Sequence, residues 1–188
     1  MSIYYQFSNV LNKKQIKTLN KVILNNVYKK GDAEKAATTV DGRSLKNVDV
    51  SVVHWMKVKK YLEEPYQIAL YYINHIYGYD TFEMNDFRHI NLNVYSADNK
   101  SNYGYHMDHS QLNENNDLKG TILINVSEDT YKGGEFYYWF NGQEIKIPFL
   151  DIPGNMIYLK PHIFHKVTPV TSGTRKTISI FVSGPKWK

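Results

Sequence analysis

His106 and Asp108 stand one residue apart in "YGYHMDHS". On an extended segment, side chains at i and i+2 leave the same face, so an imidazole and a carboxylate would point together. That pair suits a first-row divalent cation. A His-x-Asp pair alone is weak, because chance supplies it often. A third ligand must come from a distant strand, and His165 in "PHIFHKVTPV" is the candidate. Two histidines and one carboxylate on one face of a metal leave the opposite positions open, which suits non-haem Fe(II) activating oxygen. Arg175 follows ten residues after His165, in "TSGTRKTISIF". Its planar fork can hold a carboxylate bidentately. Thr177, two residues on, shares its strand face and offers a hydroxyl to the same anion.

The elements that must position these residues lie mostly after residue 86. There the hydrophobic pattern alternates with period two, in "FRHINLNVYS", "GTILINVS", "GNMIYLK" and "KTISIFVS". "EFYYWF" and "QEIKIPF" flank Asn141-Gly142, a strong hairpin signal because both residues tolerate positive φ. Short gaps without helical pattern imply antiparallel strands in a β-sandwich or jelly roll. Before residue 86 the period is three to four. Residues 11–29 predict an amphipathic helix on Ile16, Leu19, Ile23 and Val27. Residues 55–77 predict two helical pieces. Pro65 falls in the first turn of the second, Ile68, Tyr72, Ile73 and Ile76 form its stripe, and Gly78 is its C-cap. A short strand is expected near "VDVSVV". The expected fold class is α+β, mainly β, with N-terminal helices packed outside a jelly-roll core. One domain covers 1–188, with a helical support region over 1–85 and the catalytic core over 86–185.

Composition narrows the function classes. The chain has no cysteine, which excludes disulfides, Cys-ligated zinc and thiol catalysis. No apolar run reaches membrane-spanning length, and "MSIYYQFSNVLNKKQ" has no signal-peptide pattern, so a cytoplasmic protein of a bacterium or a virus-infected cell is expected. Net charge is +5, but the lysines are dispersed, so a solvated basic surface is preferred to nucleic-acid binding.

Five motifs in order carry a family resemblance over residues 90–183. They are Tyr95, a loop and "YGYHMD"; "GTILINVS"; "GGEF"; the Gly-led "GNMIYLK"; and "HKVTPV" with Arg175 beyond it. The chain resembles the Fe(II)/2-oxoglutarate-dependent oxygenases, and within them the prolyl-4-hydroxylase-like branch that includes the PKHD-type hydroxylases. The resemblance implies a double-stranded β-helix (cupin-like jelly roll). His106, Asp108 and His165 would bind Fe(II), with 2-oxoglutarate as co-substrate, O2 as oxidant, and ascorbate weighed as an accessory reductant. Arg175 would pair with the distal carboxylate of 2-oxoglutarate, with Thr177 assisting. Tyr95 matches the tyrosine that hydrogen-bonds the co-substrate, and Tyr103 and Asn125 fall where strands line the pocket. The chain departs from the branch in two places. The loop between Tyr95 and Tyr103 lacks a glycine, and Asn125 stands where some relatives carry an aromatic residue. The implied reaction is hydroxylation of a C–H bond, of a prolyl residue in a protein or peptide, with release of succinate and CO2. The same chemistry on a nucleic acid or small molecule is the alternative. Against nucleic acid, Phe181 occupies the position where the demethylase branch carries a second arginine. A non-catalytic β-sandwich binding module is the third reading.

Other histidines read more plainly. His109 would face away from Asp108, His162 belongs to a loop, and His54, His75 and His89 have no partner pattern. Gly133 and Gly134 fit either a simple turn or the family motif. In "FYYWF", Phe136, Tyr138 and Phe140 should share one face of an ordinary strand, and a substrate platform is the alternative reading. The polar loop 30–45 reads equally as a lid or as disorder.

Overall fold

Two antiparallel sheets face each other, and helices cover the far side of the larger one. The computed structural model describes residues 2–30, 39, 40, 43, 44, 46–108 and 116–187. In chain order these form β1 (Tyr4–Phe7), α1 (Lys13–Asn25), β2 (Lys29–Lys30), β3 (Thr39–Val40), β4 (Arg43–Ser44), β5 (Lys46–Asn47), β6 (Asp49–His54) and α2 (Trp55–Tyr71). The second half supplies β7 (His89–Ser96), β8 (Asn102–His106), β9 (Asn116–Asn125), β10 (Lys132–Gly133), β11 (Phe136–Phe140), β12 (Gln143–Lys146), β13 (Met156–Leu159), β14 (His165–Val167), β15 (Val170–Ser172) and β16 (Thr174–Pro185). The expectation of a lid over 30–45 falls mostly outside the described residues, as does His109.

Helix α1 begins at a capping box. Asn12 Oδ1 accepts from the Gln15 amide at 3.0 Å, and Gln15 Oε1 accepts from the Asn12 amide at 2.8 Å, so two otherwise unpaired donors of the first turn are satisfied. Its stripe of Ile16, Leu19 and Ile23 is fully buried.

The second helical region differs from the sequence reading. It is one continuous helix with Pro65 inside it, followed by a π-helical turn over Tyr72–Ile76. Proline removes one ladder hydrogen bond and costs a helix interior about 3 kcal/mol. The cost is offset by a stripe that runs unbroken through the proline. Trp55, Val58, Leu62, Tyr66, Ala69 and Ile73 are all buried. That stripe is set from Trp55 onward, so Ile68 and Ile76, expected in the core, face solvent at 39% and 43% exposure. Gly78 ends the region at φ +71°, a left-handed conformation that glycine adopts without penalty.

The larger sheet has strand order β1-β13-β9-β16-β7-β6-β2 and the smaller β12-β11-β14-β8-β5. The region before residue 86 is therefore more than helical support, because it contributes β1, β2 and β6 to one sheet and β5 to the other. The larger sheet sorts its residues by parity. Ile90, Leu92, Ile122, Ile124, Ile178 and Ile180 pack with the helices in one core. Tyr95, Leu123, Ile157 and Leu159 point the other way and meet Phe136, Tyr138, Ile147 and Val167 of the facing layer in a second core. This mainly β, jelly-roll arrangement is the expected fold class. Asn141 and Gly142, at φ +49° and +79°, turn β11 into β12. Of the aromatic run, Phe136 and Tyr138 enter the inner core, whereas Trp139 and Phe140 are 45% and 42% exposed. Phe140 misses the core because its strand ends there. Among the described residues no helix is long and apolar enough to cross a membrane.

Candidate active site

Strands β8 and β14 are neighbours, and their ends bring His106 and His165 directly opposite each other as register partners. Each Nδ1 lies 2.8 Å from the carbonyl two residues earlier, Gly104 for His106 and Ile163 for His165. A carbonyl only accepts, so each Nδ1 carries the proton and each Nε2 keeps its lone pair for a ligand. Flat rings hold both imidazoles. Tyr103 stacks on His106 at 3.5 Å between centroids, and Phe136 stacks on His165 at 5.3 Å.

Asp108 lies just beyond β8 and completes the group. Its Oδ1 is 3.7 Å from His106 Nε2 and 3.8 Å from His165 Nε2. Two bonds of about 2 Å each to a shared cation span that gap. Its Oδ2 accepts a 2.6 Å hydrogen bond from Thr121 on β9, in the opposite sheet. One oxygen is thus committed to the protein and the other is turned toward the imidazoles. Ligand atoms of His106, Asp108 and His165 all lie within 4.8 Å of one another. Burial, reinforced by the charge of His165, pushes the His106 pKa down to about 3, so this imidazole is neutral and ready to ligate at neutral pH. The donor set fits Fe(II): nitrogen and oxygen ligands, two histidines and one carboxylate, without thiolate.

Farther along the barrel, Arg175 projects inward from β16, 1% exposed. Its Nε and Nη1 are buried and have no protein partner. Orphaned donors on a buried cation are costly, and an anionic ligand is the chemistry that would satisfy them. The fit to a carboxylate co-substrate is direct. Tyr95, paired with Arg175 across β7 and β16, lays its ring 5.3 Å from the guanidinium carbon. Burial raises the Tyr95 pKa to about 12, against the lowering pull of Arg175, so the phenol stays protonated and able to donate. Thr177 is buried on the same face as Arg175.

Two motifs from distant parts of the chain bond to each other to build this floor. The Gly134 amide donates to the Pro169 carbonyl at 3.1 Å, and the Glu135 amide to Thr168 Oγ1 at 2.8 Å. Gly134 sits at φ +64°, and a Cβ there would stand 2.8 Å from Arg175 Cδ and 2.9 Å from Val170 Cγ2. "GGEF" is therefore written for the arginine's clearance and for placing Phe136 on His165.

The remaining expected residues sit as follows. Tyr103 lies against His106 and serves its orientation. Asn125 is fully buried, but its amide is already engaged: Nδ2 donates to the Leu150 carbonyl at 2.8 Å and the Tyr131 hydroxyl at 3.0 Å, and Oδ1 accepts from the Ser127 amide at 2.9 Å. His54 bonds the Phe87 carbonyl through Nδ1, and His162 is an exposed loop residue at φ +64°. Sequence reasoning missed Thr121. The alternation of "GTILIN" places it on the inner face with Leu123 and Asn125, and so signalled it.

The sequence model of the 2OG-Fe(II) oxygenase superfamily matches residues 90–183, the segment that carries all three ligands and Arg175. This chain belongs to that superfamily. No curated protein matches it in sequence. Solved structures give the fold of a 2OG-Fe(II) oxygenase. A prolyl-4-hydroxylase of Pseudomonas putida is 12% identical with a TM-score of 0.69, over 98% of this chain and 94% of that one. The viral collagen prolyl hydroxylase of Paramecium Bursaria Chlorella virus-1, solved with 2OG, is 14% identical with a TM-score of 0.63, over 97% of both chains. A Trichoplax adhaerens prolyl hydroxylase, solved with a hypoxia inducible factor peptide fragment, is 15% identical with a TM-score of 0.67, over 96% of this chain and 83% of that one. Fe(II), 2-oxoglutarate and O2 are accordingly the cofactors of this 2OG-Fe(II) oxygenase.

Proposed function

We propose that this oxygenase hydroxylates a prolyl residue in a protein or peptide. The observation that carries the co-substrate half is Arg175, a buried guanidinium with two unpartnered donors on β16, in the sheet opposite the strands of His106 and His165. The substrate half is supported by the likeness to prolyl hydroxylases, one of them solved with a peptide fragment.

On this reading His106, Asp108 and His165 hold Fe(II), and Thr121 keeps one carboxylate oxygen turned away from it. Bound Fe(II), with 2-oxoglutarate and O2, supplies the oxidising chemistry, and the co-substrate leaves as succinate and CO2. Arg175 takes the distal carboxylate of the co-substrate, Thr177 adds a hydroxyl on the same strand face, and Tyr95 closes the pocket with a protonated phenol. Burial of the Arg175 end keeps water from competing for its donors and strengthens the ion pair. The protein's work is to bind, orient and keep dry.

The test is an array of peptides incubated with enzyme, Fe(II), 2-oxoglutarate and O2, analysed by mass. The reading expects a gain of one oxygen atom confined to peptides that contain proline, in step with succinate release. Succinate formed with no peptide oxidised defeats the prolyl assignment and leaves the oxygenase chemistry standing. Arg175→Met should keep metal affinity and weaken 2-oxoglutarate binding by about 2 kcal/mol or more, since a charge-assisted pair is lost.

A further inference from the structure

Lysine is seldom buried, yet this fold buries one beside a metal ligand. Lys46 on β5 is 8% exposed. Its register partner is Tyr103 on β8, and residues directly opposite in a strand pair share a face. The Lys46 ammonium stands 5.2 Å from the centre of the Tyr103 ring, the same ring that stacks on His106. A bulge makes this possible. Strand β8 runs three residues from Tyr103 to His106, whereas β14 runs two from His165 to Val167. The extra residue turns Tyr103 and His106 to one face, toward the core between the sheets that Tyr103 joins.

Register also fixes the level at which Lys46 stands. Phe136, Val167, Tyr103 and Lys46 form one row across β11, β14, β8 and β5. Tyr138, His165 and His106 form the neighbouring row. On the far side of the Lys46 row, the chain before β11 leads to Gly134, where a Cβ would stand 2.8 Å from Arg175 Cδ. The Lys46 row therefore lies between the histidines and Arg175, and a molecule that reaches from one to the other passes it. Phe136, Val167 and Tyr103 offer rings and methyl groups, so Lys46 alone brings a charge to that row. Among the described residues the buried lysines and arginines are Lys46, Lys119 and Arg175. Lys119 is held over the Trp187 ring at 3.4 Å. The other two belong to β5 and β16, one in each of the facing sheets. Lys46 falls outside residues 90–183, so the superfamily match does not carry it.

Resting on the reading of Arg175 as the anchor of the distal carboxylate, we propose that Lys46 receives the keto-acid carboxylate of 2-oxoglutarate, so that each end of the dianion meets its own buried cation. An ammonium is a point charge with three donors on a flexible stem. It can turn toward a carboxylate oxygen while the stem stays against Tyr103. Low-dielectric surroundings strengthen the attraction.

The experiment compares wild type, Lys46→Met and Arg175→Met, each loaded anaerobically with Fe(II). Dissociation constants are measured for 2-oxoglutarate, for pyruvate, which keeps only the keto-acid end, and for levulinate, which has a methyl group in place of the keto-acid carboxylate. Metal affinity and melting temperature are recorded alongside. Lys46→Met keeps an apolar stem against Tyr103 and removes the charge. It should weaken 2-oxoglutarate and pyruvate about tenfold or more, the size of one charge-assisted hydrogen bond, with levulinate and metal affinity unchanged. Arg175→Met should weaken 2-oxoglutarate and levulinate and spare pyruvate. Unchanged pyruvate binding in Lys46→Met overturns the proposal and leaves Arg175 standing. A parallel loss of metal and of all three acids also overturns it, because Lys46 would then only prop Tyr103 against His106. Levulinate unaffected by Arg175→Met overturns the anchor role of Arg175 and this proposal with it.

Discussion

Thr121 is not itself an expected metal ligand, yet its hydroxyl, bonded to Oδ2 of Asp108, leaves Oδ1 to face the imidazoles. Partners of this kind contribute about 10- to 100-fold to metal affinity. Thr121→Val, which keeps the shape and removes the donor, should weaken Fe(II) binding by that factor in an anaerobic titration. An unchanged affinity would mean that the stacked rings alone set the geometry. His106 gives a second expectation at this scale. In the metal-free chain its folded pKa is about 3, against about 6.5 when unfolded. Between those values the unfolded state binds the extra proton. Its contribution to stability is therefore complete above about pH 6.5 and is lost as pH falls toward 3. Thermal midpoints of metal-stripped protein should drop between pH 7.5 and pH 5, and His106→Gln should flatten that drop.

Helix α2 and the "GGEF" turn show what a single sequence reveals about elements. The strand alternations were legible because a half-buried strand writes its two faces directly into odd and even positions. The Asn-Gly turn was legible for its φ values. The path of α2 through Pro65 was not, because a local rule about proline was overruled by burial of a stripe that begins at Trp55. Once the helix continues, its phase moves, and Ile68 and Ile76 leave the core. Leu62→Ala, at the centre of the real stripe, should cost about 2–5 kcal/mol in a urea titration, whereas Ile68→Ala should cost under about 1 kcal/mol. At the turn, Gly134→Ala forces a side chain into left-handed backbone and against Arg175. It should lower stability by about 1–3 kcal/mol and weaken 2-oxoglutarate binding at the same time. A stability loss with intact co-substrate affinity would show that the arginine yields freely.

Across the whole molecule, the site joins parts that no local pattern links. Its ligands come from β8, the segment after it, and β14, while Thr121 and Arg175 come from β9 and β16 of the opposite sheet. The residue types were readable because His-x-Asp, a later histidine and an arginine ten residues beyond it are a chemical set. The pairing of His106 opposite His165 was not, since register between strands far apart in sequence is settled by the packing of both sheets. That facing pair of histidines has a mechanical side as well. A cation held by side chains on two neighbouring strands works as a reversible stitch across the smaller sheet, closing the long stretch of chain between them into a ring. Stripping the metal should unfasten it, and amide exchange in β8 and β14 should quicken while the helix-backed strands of the larger sheet keep their protection.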